Sequence, residues 1–126
     1  MSKRKIKNKV GYVDNKYLNI AKPKGHYVYI RKVNKDGTCD INVFTSLEHF
    51  DKDIGKMVKT PSKIEHLKKG NTYAIPKKDS NLPKWSGITK EVKTIKTKNI
   101  QDIGKYYIKK RHYFFIGKFM NKKSKV

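Results

Sequence analysis

Two short groups of residues in this sequence carry side chains that suit phosphodiester cleavage. Lys24 and His26, separated by Gly25, supply a cation and an imidazole, and Thr45 and Ser46 supply two hydroxyls. Histidine can carry a proton near neutral pH, and cations and hydroxyls can stabilise the charge that gathers on a phosphate during cleavage. These residues are therefore catalytic candidates: His26 as proton carrier, Lys24 as phosphate cation, Thr45 and Ser46 as donors. The plainer alternative is that Thr45 and Ser46 only end a strand.

A β-hairpin over residues 25–46 is predicted to bring the two groups together. A run of β-branched and aromatic residues precedes an Asn-Lys-Asp-Gly loop, and an alternating strand follows it. The register that makes both apolar faces coincide sets Val28 against Val43, and a one-residue slip would reverse one of the faces. The same register places His26 opposite Thr45 at the open end of the hairpin.

The second strand of this hairpin alternates between apolar and polar residues. Cys39 begins the apolar face, whereas Asp40 and Asn42 lie on the other, which predicts a half-buried strand. Next to the loop, the register pairs Val33 with Thr38. Because Cys39 lies on the apolar face, we interpret it as a core thiol rather than a catalytic one.

The charge balance indicates a polyanionic partner. The 126 residues include 32 Lys and Arg against 10 Asp and Glu, a formal charge of +22. Such a field favours nucleic acid first, an acidic protein second and an anionic membrane surface last. Trp85 either caps the edge of the core or offers a stacking surface to a base. The residues expected to contact nucleic acid are Lys22, Lys24, Tyr27, Lys77, Lys78 and Trp85.

The length suits one domain, and the patterns exclude several classes of protein. We expect a basic flexible arm over residues 1–9, a single domain over 10–119 and a basic tail over 120–126. No apolar run is long enough to cross a membrane, and no secretory signal is visible, so a soluble cytoplasmic protein is expected. No zinc spacing, phosphate loop or other cofactor motif is present, so neither a metal nor a cofactor is expected.

The remaining pattern predicts five to seven short strands and one late helix. The predicted elements are a strand at 10–13, a long loop with one helical turn after Ser46, strands at 64–67 and 72–76, a strand at 91–97, an amphipathic helix from Asn99 to Ile108, and a final strand or continuing helix at 113–116. This order argues for a mainly β fold of the α+β kind, a small curved sheet or partly open barrel.

The order of four motifs resembles the MazF/PemK family of toxins from type II toxin–antitoxin systems. The motifs are Gly11–Asp14, Lys22–His26, Val43–Ser46 and Asn99–Lys105. The resemblance implies an SH3-like, PemK-like barrel that cuts single-stranded RNA without a metal. It also implies a homodimer neutralised by an acidic antitoxin.

The sequence departs from the family pattern at its arginines. Gly25 and His26 stand where family members place Arg-Pro, and Gln101 stands at a later arginine, while the hydroxyl of Thr45 is retained. Lysine lacks the planar fork with which arginine holds a phosphate. Two alternatives therefore stay open: a non-catalytic SH3-like or OB-like barrel that binds nucleic acid, and a degenerate family member with only an interaction role, either of them in a mobile genetic element.

Overall fold

The fold is mainly β and is built on one antiparallel sheet. The computed structural model describes residues 6–121. The main elements of that range are β1 (Val10–Asp14), β2 (Gly25–Val33), β3 (Thr38–Ser46), β4 (Glu48–Asp51), β5 (Lys56–Lys59), α1 (Pro61–Lys68), β6 (Thr72–Ile75), β7 (Ser86–Lys96) and α2 (His112–Asn121). The sheet order is β1-β2-β3-β7-β6, and β4 pairs with β5 in a separate hairpin. The predicted mainly β class with a late short helix is confirmed, although the sheet is open and does not close into a barrel.

The predicted hairpin is present as β2 and β3, and its central register is confirmed. Val28 pairs with Val43 as expected. A bulge at Arg31 shifts the register towards the loop, so Val33 pairs with Cys39 and the predicted pairing with Thr38 is wrong. A bulge inserts one unpaired residue into a strand, which alternation alone does not reveal.

The central strand β3 is buried on both faces, not on one. On one face, Cys39 packs with Val28 and Ile30 of β2 in a first hydrophobic cluster. On the other face, Phe44 packs with Tyr29, Ile88 and Ile116, so that α2 covers the side expected to meet solvent. Asn42 is consequently fully buried, and its amide donates to the carbonyl oxygens of Thr89 and Glu91. Cys39 is a core thiol, as predicted.

The segment after β3 differs from the predicted loop. Glu48–Asp51 pairs with Lys56–Lys59 in the β4–β5 hairpin. Residues 64–67, predicted to be a strand, belong to α1, which has a proline in its first turn after Thr60. Proline is favoured at that position because the amide it lacks has no helical partner there. Ile64 and Leu67, three residues apart, are both half-buried along α1.

Both predictions for the C-terminal third need correction. The helix predicted over residues 99–108 is absent; residues 97–99 form a 3-10 turn, and Asp102 and Gly104 take positive φ values of 53° and 87°. Ile100 and Ile108 are buried as expected, but in different clusters. Residues 113–116 belong to α2, so the continuing-helix alternative describes them better than a final strand does.

The N-terminal residues 6–9 pack on the domain, in contrast to the flexible arm expected there. Ile6 is 5% exposed, and the Tyr29 hydroxyl donates to the side chain of Asn8. The rest of the predicted arm, 1–5, and most of the predicted tail, 122–126, lie outside the described residues. Residues 120 and 121 end α2.

Neither helix of the described chain is long and apolar enough to cross a membrane.

Candidate active site

The open end of the β2–β3 hairpin forms a cleft that contains three of the four predicted catalytic residues. The cleft has a volume of about 300 Å³. His26, Thr45 and Ser46 all line it, together with Lys63 of α1. We call this the hairpin cleft. One small space is thus lined by residues that carry an imidazole, two hydroxyls and an ammonium group.

Backbone pairing fixes the positions of these side chains. Thr45 pairs with Gly87 and Ser46 with Ser86, so β7 holds the end of β3. On the other side, His26 pairs with Val13 of β1. Gly25 permits this approach, because a Cβ there would overlap the carbonyl oxygen of Val13. The cleft therefore lies between elements whose positions are set by the sheet.

Asn15 orients the imidazole of His26. Its side-chain amide donates to the carbonyl oxygens of Lys22 and Pro23 at 3.0 and 3.3 Å. Its Oδ1 is therefore the acceptor for His26, whose Nδ1–H donates to it over 2.6 Å. A neutral histidine holds one hydrogen on its two ring nitrogens. The bond to Asn15 consequently leaves Nε2 as an unprotonated base.

The surroundings of His26 also favour the neutral imidazole. Burial lowers its pKa below the usual 6.5, the positive charges of Lys63 and Lys22 lower it further, and Glu91 opposes the shift. Burial and a nearby cation both disfavour an imidazolium. At neutral pH, His26 can therefore accept a proton.

Lys63 takes the place that the sequence prediction gave to Lys24. Lys24 lies in the exposed turn before β2, with a φ of 77°, and does not line the cleft. Its contribution is structural, since its carbonyl oxygen accepts the backbone N–H of Asn15 at 2.8 Å. Lys63 is half-buried on α1 and acts directly on the His26 pKa. Of the four catalytic candidates, Lys24 is thus the one that the structure does not bring to the site.

A second cleft continues from the first along α1. It has a volume of about 390 Å³, and Thr45 and Lys63 line both clefts. Its other lining side chains include His66 and Lys90. A chain of phosphates could therefore pass from the hairpin cleft along a basic path.

The predicted nucleic-acid contacts are dispersed. Lys22 and Lys78 are exposed in separate loops. Lys77 donates to Glu48 at 2.9 Å, and the same carboxylate accepts the backbone N–H of Trp85 at 2.8 Å. Trp85 is half-buried, closer to the core-edge alternative than to an open stacking surface.

Tyr27 lines the hairpin cleft but is packed between two other tyrosines. Its ring centroid lies 5.4 Å from that of Tyr12 and 4.9 Å from that of Tyr106, both edge-on. Burial and the hydrogen bond with Tyr106 raise the pKa of Tyr27 to about 12. It is therefore a neutral wall of the cleft, with little ring face left for a base.

A buried polar cluster lies at the start of α2. Asp79 is fully buried; its Oδ2 accepts from Arg111 and from His112 Nε2, both at 2.7 Å. The hydrogen bond from Arg111, followed by that from His112, holds the Asp79 pKa well below its usual range. The Tyr73 hydroxyl lies 2.8 Å from His112 Nδ1. This cluster fastens α2 to the sheet.

Comparison with known proteins gave no relative: no family model matches the chain, and no curated protein does. Within residues 6–121, no group of three or more His, Cys, Asp or Glu side chains is arranged to hold a metal ion.

Sequence reasoning missed Lys63, which lines the hairpin cleft, and Asn15, which orients His26 from outside it. Lys63 lay in a segment interpreted as loop, although Thr60-Pro61 is a helix-start signal. Asn15 carried no comparable signal, because its role depends on the loop that folds back from β1 to β2.

Proposed function

We propose that this protein cleaves single-stranded RNA in the hairpin cleft, as a divergent MazF/PemK-like endoribonuclease. The observation that carries the proposal is the fixed tautomer of His26. Its Nδ1–H is bound to Asn15, which leaves Nε2 as the basic nitrogen of a residue that lines the cleft together with Thr45, Ser46 and Lys63. A lysine-rich surface without an oriented base would support binding alone.

The four side chains can divide the chemistry of cyclising cleavage between them. His26 Nε2 removes the proton of a ribose 2′-hydroxyl, whose oxygen attacks the adjacent phosphorus. The hydroxyls of Thr45 and Ser46 donate to the anionic phosphorane, and the Lys63 ammonium stabilises it. The bond to the 5′-oxygen then breaks, and that oxygen takes a proton from Lys63. The products are a 2′,3′-cyclic phosphate and a 5′-hydroxyl, so the step balances without a co-reactant.

The resemblance adds partners to this proposal. As a toxin of this kind, the protein would act in the cytoplasm as a homodimer, and an acidic antitoxin segment would cover the basic cleft. The formal charge of +22 makes an acidic inhibitor electrostatically favourable.

A second function is favoured by one specific observation. Arg31 and Arg111, the arginines of the described residues, both lie outside the hairpin cleft. The cleft thus lacks the fork that holds a phosphate in two places. A non-catalytic barrel that binds nucleic acid, including a relic of the toxin family in a mobile element, would have this property.

Turnover separates the two functions. Purified protein is incubated with a long single-stranded RNA in EDTA, and the ends are mapped. The proposal predicts discrete cuts with 5′-hydroxyl ends, lost in Thr45→Val, which keeps the shape of the side chain but removes its hydroxyl. Lys63→Ala should slow cutting at least about tenfold, as expected for loss of a transition-state donor. Lys68→Ala, on the exposed part of the same helix, is the matched control. RNA that stays intact but is retained by the protein would favour the binding function.

A further inference from the structure

A second groove lies between α2 and β2, at the opposite end of β2 from His26. It has a volume of about 310 Å³ and is lined by Lys7, Arg31, Tyr113, Phe114 and Gly117, among others. We call it the α2 groove. Lys7 and Arg31 also line an adjoining cleft of about 370 Å³. The two cations therefore stand at the junction of a continuous depression.

Arg31 and Lys7 are suited to bind phosphates at this junction. Arg31 is half-buried and Lys7 exposed. Within residues 6–121, neither side chain makes a hydrogen bond or a close ion pair. The positive charge of Arg31 nevertheless acts on Asp40 across the adjoining cleft and helps to lower its pKa, after the hydrogen bonds from Asn34 and Thr94. A guanidinium with free donors can bind a phosphate at two oxygens.

Phe114 adds an aromatic surface to the groove. It is 65% exposed, an unusual position for a large apolar side chain. The ammonium of Lys118 lies 4.8 Å from the centre of its ring. Phe115, 51% exposed, touches Phe114 but does not line the groove. An exposed ring beside cations is the combination by which proteins bind single-stranded nucleic acid.

We propose that the α2 groove is a second contact for single-stranded nucleic acid, in which Arg31 and Lys7 bind phosphates and Phe114 stacks on a base. The proposal rests on the RNA substrate proposed above but not on its cleavage. His26 and Arg31 are five residues apart on β2, a distance of roughly 16 Å. Because side chains alternate along a strand, this odd separation puts His26 and Arg31 on opposite faces of the sheet. The α2 groove would therefore hold a stretch of RNA that has passed round the edge of the sheet from the hairpin cleft. The two cations beside the exposed ring of Phe114 fit this ligand better than an apolar protein partner.

The test uses a fluorescent 2′-O-methyl RNA of sixteen nucleotides, which cannot be cut because its 2′-hydroxyls are blocked. We expect Phe114→Ala to weaken binding at least about fivefold, as for a lost stacking contact. Phe115→Ala should change it less than about twofold, because that ring lies outside the groove. Arg31→Ala should lower the slope of binding against salt by about 0.7, one phosphate contact on a single strand. Lys52→Ala, in the β4–β5 turn, is the control for charge. Equal effects of Phe114→Ala and Phe115→Ala, or of Arg31→Ala and Lys52→Ala, would overturn the proposal.

Photo-crosslinking of the wild-type protein gives a test that does not depend on variants. RNA carrying 4-thiouridine should crosslink to residues 113–118, detected by mass spectrometry. Crosslinks confined to the hairpin cleft would refute the second contact. Crosslinks at the α2 groove together with intact unmodified RNA would support this inference while rejecting cleavage, so the two proposals can fail separately.

Discussion

Replacing Asn15 by alanine tests both the stability and the chemistry of the hairpin cleft. Asn15 is 3% exposed, and its side chain makes three hydrogen bonds, two to the 22–24 turn and one to His26. Each such bond contributes about 1 kcal/mol, so the free energy of unfolding should fall by about 3 kcal/mol. Urea unfolding followed by circular dichroism measures this loss.

The functional result is more diagnostic than the loss of stability. Without Asn15, both tautomers of neutral His26 become accessible, so the RNA cleavage rate per folded molecule should fall. Asn81→Ala is the matched control. The side chain of Asn81 also makes two hydrogen bonds to backbone groups, those of Lys105 and Tyr107, but it lies on an exposed surface. It should cost about 1 kcal/mol or less and leave cleavage unchanged. If Asn15→Ala behaves like Asn81→Ala in both assays, our account of how His26 is oriented is wrong.

Three further predictions concern backbone approach, pH and the attachment of α2. Gly25→Ala should destabilise the protein by about 2 kcal/mol, because the added Cβ would overlap β1. Gly117→Ala should stabilise α2 slightly, because no atom lies within 4 Å of the added Cβ. Thermal melting compares the two variants, and equal shifts in their melting temperatures would contradict the steric argument. Because the pKa of His26 is lowered, the contribution of the neutral imidazole to stability is complete above pH 6.5 and is lost as the pH falls below that value. Between pH 7.5 and 5.5, the free energy of urea unfolding should therefore fall less in His26→Asn than in the wild type. An equal fall in the two proteins would contradict this. Asp79→Asn removes the charge that Arg111 and His112 share, so amide exchange of α2 should accelerate while that of β3 changes less; unchanged protection of α2 would refute its role.

The hairpin was predictable because its signals are local. Alternation in β3 and the turn residues fix the central register without knowledge of other elements. The same register placed His26 near Thr45, so half of the cleft followed from the sequence. Burial of Asn42 did not, because the covering helix α2 is about 70 residues further along the chain.

The wrong predictions of helices and strands arose where the spacing of apolar residues had more than one possible cause. Ile100 and Ile108 suggested a helix, but each is apolar because it enters a different hydrophobic cluster. Ile64 and Leu67 suggested a strand, although their spacing of three suits the face of α1. Lys63 was missed as a result, since only the helix directs it into the cleft. Tertiary contacts thus decide the residues that complete the site.

The most direct test of the central claim is RNA cleavage by His26→Asn. The asparagine amide nitrogen takes the place of Nδ1 and can still donate to Asn15, but no base remains at the position of Nε2. We predict a folded protein with wild-type affinity for uncleavable RNA and a cleavage rate at least about a hundredfold lower, as for a lost general base. His49→Asn, outside both clefts, should cleave normally. If His26→Asn cuts RNA as fast as His49→Asn, His26 is not the base and the proposed mechanism is wrong.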